Sequence, residues 1–145
     1  MTALDPHVML VSEVMTRDVK TVDPNDRLLD ADRLASVARI RHLPVVDDEG
    51  LLVGIVSQRD IFHSGLLKAL GYGSHAQERV LESFVIKDVM VTDVQTIAPE
   101  ATVADAARRM SERRIGCLPV LQGEALVGIV TESDLVSLLA SRRPG

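Results

Sequence analysis

The sequence predicts an α+β fold made of two copies of one β-α-β-β-α unit, and three observations carry that prediction. An apolar, β-branched run that ends in a hydroxyl residue, with Asp three positions on, is written twice. It stands first as Val53-Gly54-Ile55-Val56-Ser57-Gln58-Arg59-Asp60 and again as Val127-Gly128-Ile129-Val130-Thr131-Glu132-Ser133-Asp134. Each copy reads as a buried strand running into a helix start. Upstream, at an offset of 75 residues, Val14-Met15 recurs as Val89-Met90, Thr21 as Thr96, Pro24 as Pro99, Asp30-Ala31 as Asp105-Ala106, Ile40 as Ile115, and Leu43-Pro44-Val45 as Leu118-Pro119-Val120. The offset falls to 74 only beyond the next turn, a slip that a surface turn absorbs. Finally, 46% of the 145 residues are hydrophobic but only two Phe and one Tyr are aromatic, so the core must be aliphatic, which suits helices on small buried sheets. A copy of about 50 residues buries too little surface to be stable alone, so the two are expected to share one core.

In chain order, residues 1–10 lack periodicity and are expected to form a loosely held arm. Residues 11–15 fit a short helical turn. Residues 19–22 fit a strand stopped by Asp23-Pro24, with Pro24 suited to the first turn of the next helix. That helix carries Leu28, Ala31, Leu34, Ala35 and Ala38 as an apolar stripe, with Asp30, Asp32 and Arg33 off it. Residues 43–46 and 51–56 are continuous apolar strands around the acidic turn Asp47-Asp48-Glu49-Gly50. A helix over 58–70 closes the first copy, and Gly71-Tyr72-Gly73 ends it. A connecting helix over 75–83 offers Val80, Leu81 and Phe84 for packing. The second copy repeats the order, with a strand at 94–97, a stripe at Val103, Ala106, Ala107 and Met110, strands at 117–121 and 126–130, and a last helix to about 140. The domain reading is an arm at 1–10, a first repeat at 11–70, a linker at 71–85, a second repeat at 86–140 and a tail at 141–145.

Composition excludes several classes. A net charge of −5 opposes nucleic-acid binding, which needs a basic face. No apolar run is long enough to span a membrane and no charged stretch leads into an apolar one as a secretory signal would, so neither a membrane span nor secretion is expected from these residues. One cysteine, Cys117, provides no disulfide framework, and the expected location is cytoplasmic. His7, His42, His63 and His75 show no metal-ligand spacing, so no metal site is expected.

With Thr21 and Thr96, the two Leu-Pro-Val strands and the two Gly-Ile-Val-(Ser/Thr)-x-x-Asp junctions in hand, the chain resembles a tandem pair of CBS domains, also called a Bateman module, over nearly its whole length. The resemblance implies repeats packed sheet to sheet about a pseudo-two-fold axis, with two clefts that hold adenosine derivatives. Each cleft would mix the copies. One would join Ser57, Arg59 and Asp60 to Thr96, Ile97, Ile115, Gly116, Cys117 and Pro119. The other would join Thr131 and Asp134 to Thr21, Val22, Ile40, Arg41, His42 and Pro44. The implied ligand is AMP, ADP or ATP, with S-adenosylmethionine or NAD as further candidates, and the implied assembly is a homodimer docked through its helices.

The residue chemistry agrees with these roles. An ionised Asp accepts both hydroxyl protons of a ribose diol, which suits Asp60 and Asp134. Ser57 and Thr131 stand at helix N-termini, which favour an anion. Ile40, Val22, Ile115 and Ile97 would sandwich a base, and Arg41 with His42, or Arg59, would neutralise phosphate. The second site is ranked first, because Arg41-His42 is more phosphate-friendly than Gly116-Cys117.

Blander readings apply to the same residues. Ser57-x-x-Asp60 and Thr131-x-x-Asp134 are also helix capping boxes with Asp in place of Glu. Cys117 reads as a small buried hydrophobe, and Asp47-Asp48-Glu49 as a solvated hairpin turn. Arg108-Arg109 and Arg113-Arg114 read as a solvated helix face. The leading functional reading is a regulatory, energy-sensing nucleotide module that modulates a partner protein. The alternatives are a ligand-free docking module and, third, an enzyme using Cys117 or His42, although no nucleophile and base pair is in view and no catalytic residue is assigned.

Overall fold

The structure, a computed structural model, describes residues 5–59 and 74–141, with backbone alone for 74–77. Its elements are α1 (Val11–Val14), α2 (Leu28–Ala38), β1 (His42–Val46), β2 (Leu52–Ser57), α3 (Ser74–Ser83), a 3-10 turn (Ile86–Asp88), α4 (Val103–Arg113), β3 (Cys117–Gln122), β4 (Ala125–Thr131) and α5 (Glu132–Ser141). The sheets are two antiparallel hairpins, β1 with β2 and β3 with β4, so the α+β class read from the sequence is the observed one. Asp60, the remainder of the helix expected over 58–70, Gly71-Tyr72-Gly73, the first four residues and the tail from 142 lie outside the described residues.

The hairpins match residue for residue. Leu43 pairs with Val56 and Pro44 with Ile55, as Leu118 pairs with Val130 and Pro119 with Ile129, and both ladders slip at the same place, between Val45 and Val46 and between Val120 and Leu121. The acidic turn is a self-contained loop in which Asp47 Oδ1 accepts from the Glu49 and Leu51 N–H groups at 2.9 and 3.0 Å. Gly50 turns the chain at φ +82°, a backbone that glycine adopts without strain.

The chain forms two compact units, and these are cut differently from the sequence repeats. One comprises residues up to Val19 together with Gln95 onward, and the other is Lys20–Val94. The segment that leads into each copy therefore packs on the body of the other copy, with the same hydrogen bonds both times. The Val103 N–H donates to Met9 O (2.8 Å) as the Leu28 N–H donates to Phe84 O (2.9 Å). The Val11 N–H donates to Ala101 O (2.8 Å) as the Ile86 N–H donates to Asp26 O (2.8 Å). Thr16 bridges Ile129 of β4 as Val91 bridges Ile55 of β2. These carbonyls satisfy helix-start N–H groups that have no partner inside their own helix.

Several expectations are corrected. The first strand of each copy narrows to one parallel pairing, Val22 with Val45 and Ile97 with Val120, in which a single residue both donates to and accepts from the hairpin edge. Pro24 does not open α2. It sits in a turn in which Asp26 Oδ2 accepts from the Asp23 N–H (2.9 Å) and Asp23 Oδ1 from the Asn25 N–H (2.8 Å), and α2 starts four residues later at Leu28. The arm is not loose where it is described: Pro6 O and Met9 O accept from the Ala104 and Val103 N–H groups at the start of α4.

Of the second stripe, Val103, Ala106 and Met110 are buried but Ala107 is exposed. Asp32, expected off the first stripe, is half-buried, with Oδ1 closed off and without a hydrogen bond among the described residues. Among the described residues the buried apolar side chains form two clusters, where one shared core was expected. Val22, Leu28, Ala31, Leu43, Val45, Val56, Leu81 and Ile86 belong to one, and Val11, Met15, Ile97, Met110, Leu118, Val120 and Val130 to the other. Each unit gains a leader from the opposite copy, and the added apolar surface gives each a core of its own.

Candidate functional site

Part of the set expected to form the sites lies where each hairpin's last strand gives way to helical residues. In the unit holding the second hairpin, β4 ends at Thr131 and α5 starts at Glu132. The Asp134 N–H donates to Thr131 Oγ1 (3.2 Å), and the Thr131 N–H donates to Asp134 Oδ2 (2.9 Å). This is a complete capping box with Asp at the third helical position. The other carboxylate oxygen, Asp134 Oδ1, accepts from Thr16 Oγ1 at 3.4 Å, long enough to be a weak contact. Thr131 lies opposite Cys117 in the ladder, and Gly116 O accepts from the Glu132 N–H at 3.0 Å. Gly116, Cys117, Thr131 and Asp134 are thus brought together.

The first copy repeats this around different side chains. Ser57 lies opposite His42, and Arg41 O accepts from the Gln58 N–H at 3.0 Å. Arg41, His42, Ser57 and the exposed Arg59 are neighbours of one junction, whereas Asp60 falls outside the described residues.

Four of the residues cast as walls for a base divide into two kinds. Val22 and Ile97 are core side chains, 6% and 3% exposed. Their backbone groups are also occupied. Val22 donates to Pro44 O (3.1 Å) and accepts from the Val46 N–H (2.8 Å), while Ile97 donates to Pro119 O and accepts from the Leu121 N–H, both at 3.0 Å. Ile40 and Ile115 are half-buried and have apolar surface to offer. Both follow an arginine in the left-handed region, Arg39 at φ 56° and Arg114 at φ 55°, that terminates the preceding helix. Pro44, Pro119 and Cys117 are buried, Thr96 is half-buried, and Thr21 and Arg41 are exposed. Each unit therefore contains the strand wall of one implied site and the hydroxyl junction of the other.

Two residues escaped the sequence reading. Thr16, which touches Asp134, belongs to a leader whose packing partner the repeat offset does not reveal. Arg109, on the face of α4 read as solvated, donates from Nη1 to Thr96 O at 2.7 Å. A signal for it exists, since its counterpart in the first copy is Leu34, a stripe residue.

Electrostatics single out two carboxylates. Asp105 is held below the usual carboxylate range, first by its hydrogen bonds with the Thr102 side chain and backbone at the start of α4 and then by Arg108. Burial pushes Asp32 upward.

A hairpin-and-helix unit present twice, with a hydroxyl at each strand-to-helix junction, defines the class. The chain belongs to the CBS domain family, whose model matches residues 11–66 and again 86–141, making it a tandem CBS pair. It is 36% identical over 138 residues to the Methanocaldococcus jannaschii protein MJ1404, across 93% of this chain and 33% of that protein, so it spans about a third of that relative's length. A Vibrio cholerae protein whose structure was solved under the name AcuB is 39% identical, with a TM-score of 0.74 over 92% of this chain and 91% of that one. The CBS domain pair of protein MJ0100, solved with 5′-methylthioadenosine and S-adenosyl-L-methionine, is 28% identical, with a TM-score of 0.77 over 94% of this chain and 99% of that one. CBSX2, solved with AMP, is also 28% identical, with a TM-score of 0.74 over 92% and 99%. CBS pairs that bind adenosine ligands are thus among its structural neighbours. Among the described residues no helix is long and apolar enough to cross a membrane.

Proposed function

We propose that this chain is a regulatory module of the cytoplasm that binds an adenosine derivative and passes its occupancy to a partner protein, with no reaction of its own. The observation that carries the reading is the doubled junction, in which Ser57 faces His42 and Thr131 faces Cys117 at the start of a helix. A hydroxyl and helix-start N–H groups suit phosphate, and the carboxylate of Asp134, or of Asp60, suits a ribose diol. Each site draws on both copies. Ser57, Arg59 and Asp60 serve with Thr96, Ile97, Ile115, Gly116, Cys117 and Pro119, and Thr131 and Asp134 serve with Thr21, Val22, Ile40, Arg41, His42 and Pro44. AMP is the first candidate, supported by the AMP-bound relative. ADP, ATP, S-adenosylmethionine and NAD follow. A homodimer is supported by the exposed Val136 and Leu139 on α5, a helix that buries none of its residues, and by the exposed Val37 on α2. A ligand would shift the partner by no more than its differential affinity for two arrangements of the module.

A second reading, docking without a ligand, is favoured by the capping box itself, which is complete with protein groups alone. A thermal-shift screen with AMP, ADP, ATP, NAD and S-adenosylmethionine separates the two. A ligand at about 100 times its Kd stabilises by about 2.7 kcal/mol, which at this chain length is a rise of about 5–10 °C. No shift with any of the five would favour docking.

A further inference from the structure

We infer that Arg109 is a positioning residue for the site that contains Thr96, one that makes the two nucleotide sites unequal. The inference rests on the nucleotide-binding reading above. On α4 the neighbouring Arg108 turns to Asp105 one turn back, at 2.9 Å, as an exposed helix pair. Arg109 instead reaches thirteen residues back along the chain and donates to the Thr96 carbonyl at 2.7 Å. A bond that short from a guanidinium is charge-assisted and stronger than a neutral one. The N–H of the same peptide unit, that of Ile97, donates to Pro119 O at 3.0 Å. The peptide plane between Thr96 and Ile97 is therefore gripped at both its oxygen and its nitrogen. That restrains the backbone between Thr96 and Ile97, and with it the point from which the Thr96 side chain projects, before any ligand arrives.

The first copy keeps one of the two grips. The Val22 N–H donates to Pro44 O at 3.1 Å, but Leu34, which packs against the core and has no donor, stands where Arg109 stands. A site whose wall is already ordered loses less freedom on binding, so the second grip raises affinity at the Thr96 site alone.

The test is calorimetric titration with AMP in two backgrounds. Asp134→Asn leaves the Thr96 site, and Asp60→Asn leaves the Thr21 site. In the first background Arg109→Leu, the residue the first copy uses, is expected to weaken AMP about five- to tenfold, and Arg109→Lys, which keeps a cationic donor, to restore it to within about twofold. In the second background neither variant should change affinity by more than about twofold. Unchanged binding by Arg109→Leu at the Thr96 site, equal weakening at both sites, failure of Arg109→Lys to rescue, or loss of all binding in Asp134→Asn would overturn this inference and leave the nucleotide reading standing. Absence of AMP binding by the wild-type chain would overturn the nucleotide reading and the inference with it.

Discussion

Gly128→Ala and Gly54→Ala should each destabilise the protein, because the leader of the opposite copy lies directly over both glycines. A Cβ on Gly128 would fall 2.5 Å from Met15 Sδ, 2.9 Å from Met15 Cγ and 3.1 Å from Thr16 O. On Gly54 it would meet Met90 Sδ at 2.6 Å, Met90 Cγ at 3.0 Å and Val91 O at 3.0 Å. Ordinary contacts are about 3.5–4.0 Å, so each sulfur would have to retreat by about 1 Å. A methionine can bend that far, but the carbonyls cannot. Thr16 O is held by the Ile129 N–H at 3.0 Å while the Thr16 N–H donates back to Ile129 O at 2.8 Å, and Val91 is tied to Ile55 in the same way. Overpacking of this kind costs about 1–3 kcal/mol. At this length the middle of that range lowers Tm by about 5–8 °C, read by circular dichroism on heating. In a double-mutant cycle, Met15→Ala should recover part of the Gly128→Ala loss and none of the Gly54→Ala loss. A Tm lowered by less than about 1 °C in both alanine variants would refute the packing of the leaders.

Three further outcomes follow from the same geometry. Asp134→Ala removes the acceptor for the Thr131 N–H and should cost about 1 kcal/mol by urea denaturation, whereas Asp134→Asn keeps an acceptor and should cost less than about half of that; equal losses would exclude the capping geometry. Asp32 has its folded-state pKa raised by burial, so the folded protein binds that proton more readily and its stability gains as pH falls through the folded value. Asp32→Asn is therefore expected to raise stability slightly at pH 7, by less than about 1 kcal/mol for a half-exposed group, and to lose that advantage near pH 4, as read by urea denaturation; a gain independent of pH would contradict the burial argument. Arg39→Gly and Arg114→Gly should each stabilise by about 0.5–1 kcal/mol, since both arginines hold the left-handed backbone that glycine adopts freely, and a loss of stability would show that the side chains contribute more than the strain costs.

The hairpins and the junction at Thr131 and Asp134 were legible because strand, hydroxyl and Asp recur at a fixed offset, and repetition turns short, weak signals into a strong one. The packing of the leaders was not. Val14-Met15 and Val89-Met90 keep the same spacing whichever body they rest on, and it takes spatial contacts such as Met15 over Gly128 and Met90 over Gly54 to reveal the exchange. Pro24 was misplaced because Asp23 and Asp26 offer the backbone a turn that competes with an early helix start. The arm looked unstructured because it contributes carbonyls, and carbonyls have no sequence signature. Arg109 was hidden by its ordinary helical context, although the break from Leu34 to Arg109 in an otherwise faithful repeat marks it.

The most direct test of the central claim, a nucleotide site built from both copies, is a double-mutant cycle read by AMP titration. Asp134→Asn and Thr21→Val should act on one site, so each alone and the pair together should leave the other site binding AMP with unchanged affinity. Asp134→Asn with Thr96→Val should be independent and affect two sites. Coupling of Asp134 to Thr96 in place of Thr21, or no AMP binding by the wild-type chain, would contradict the account.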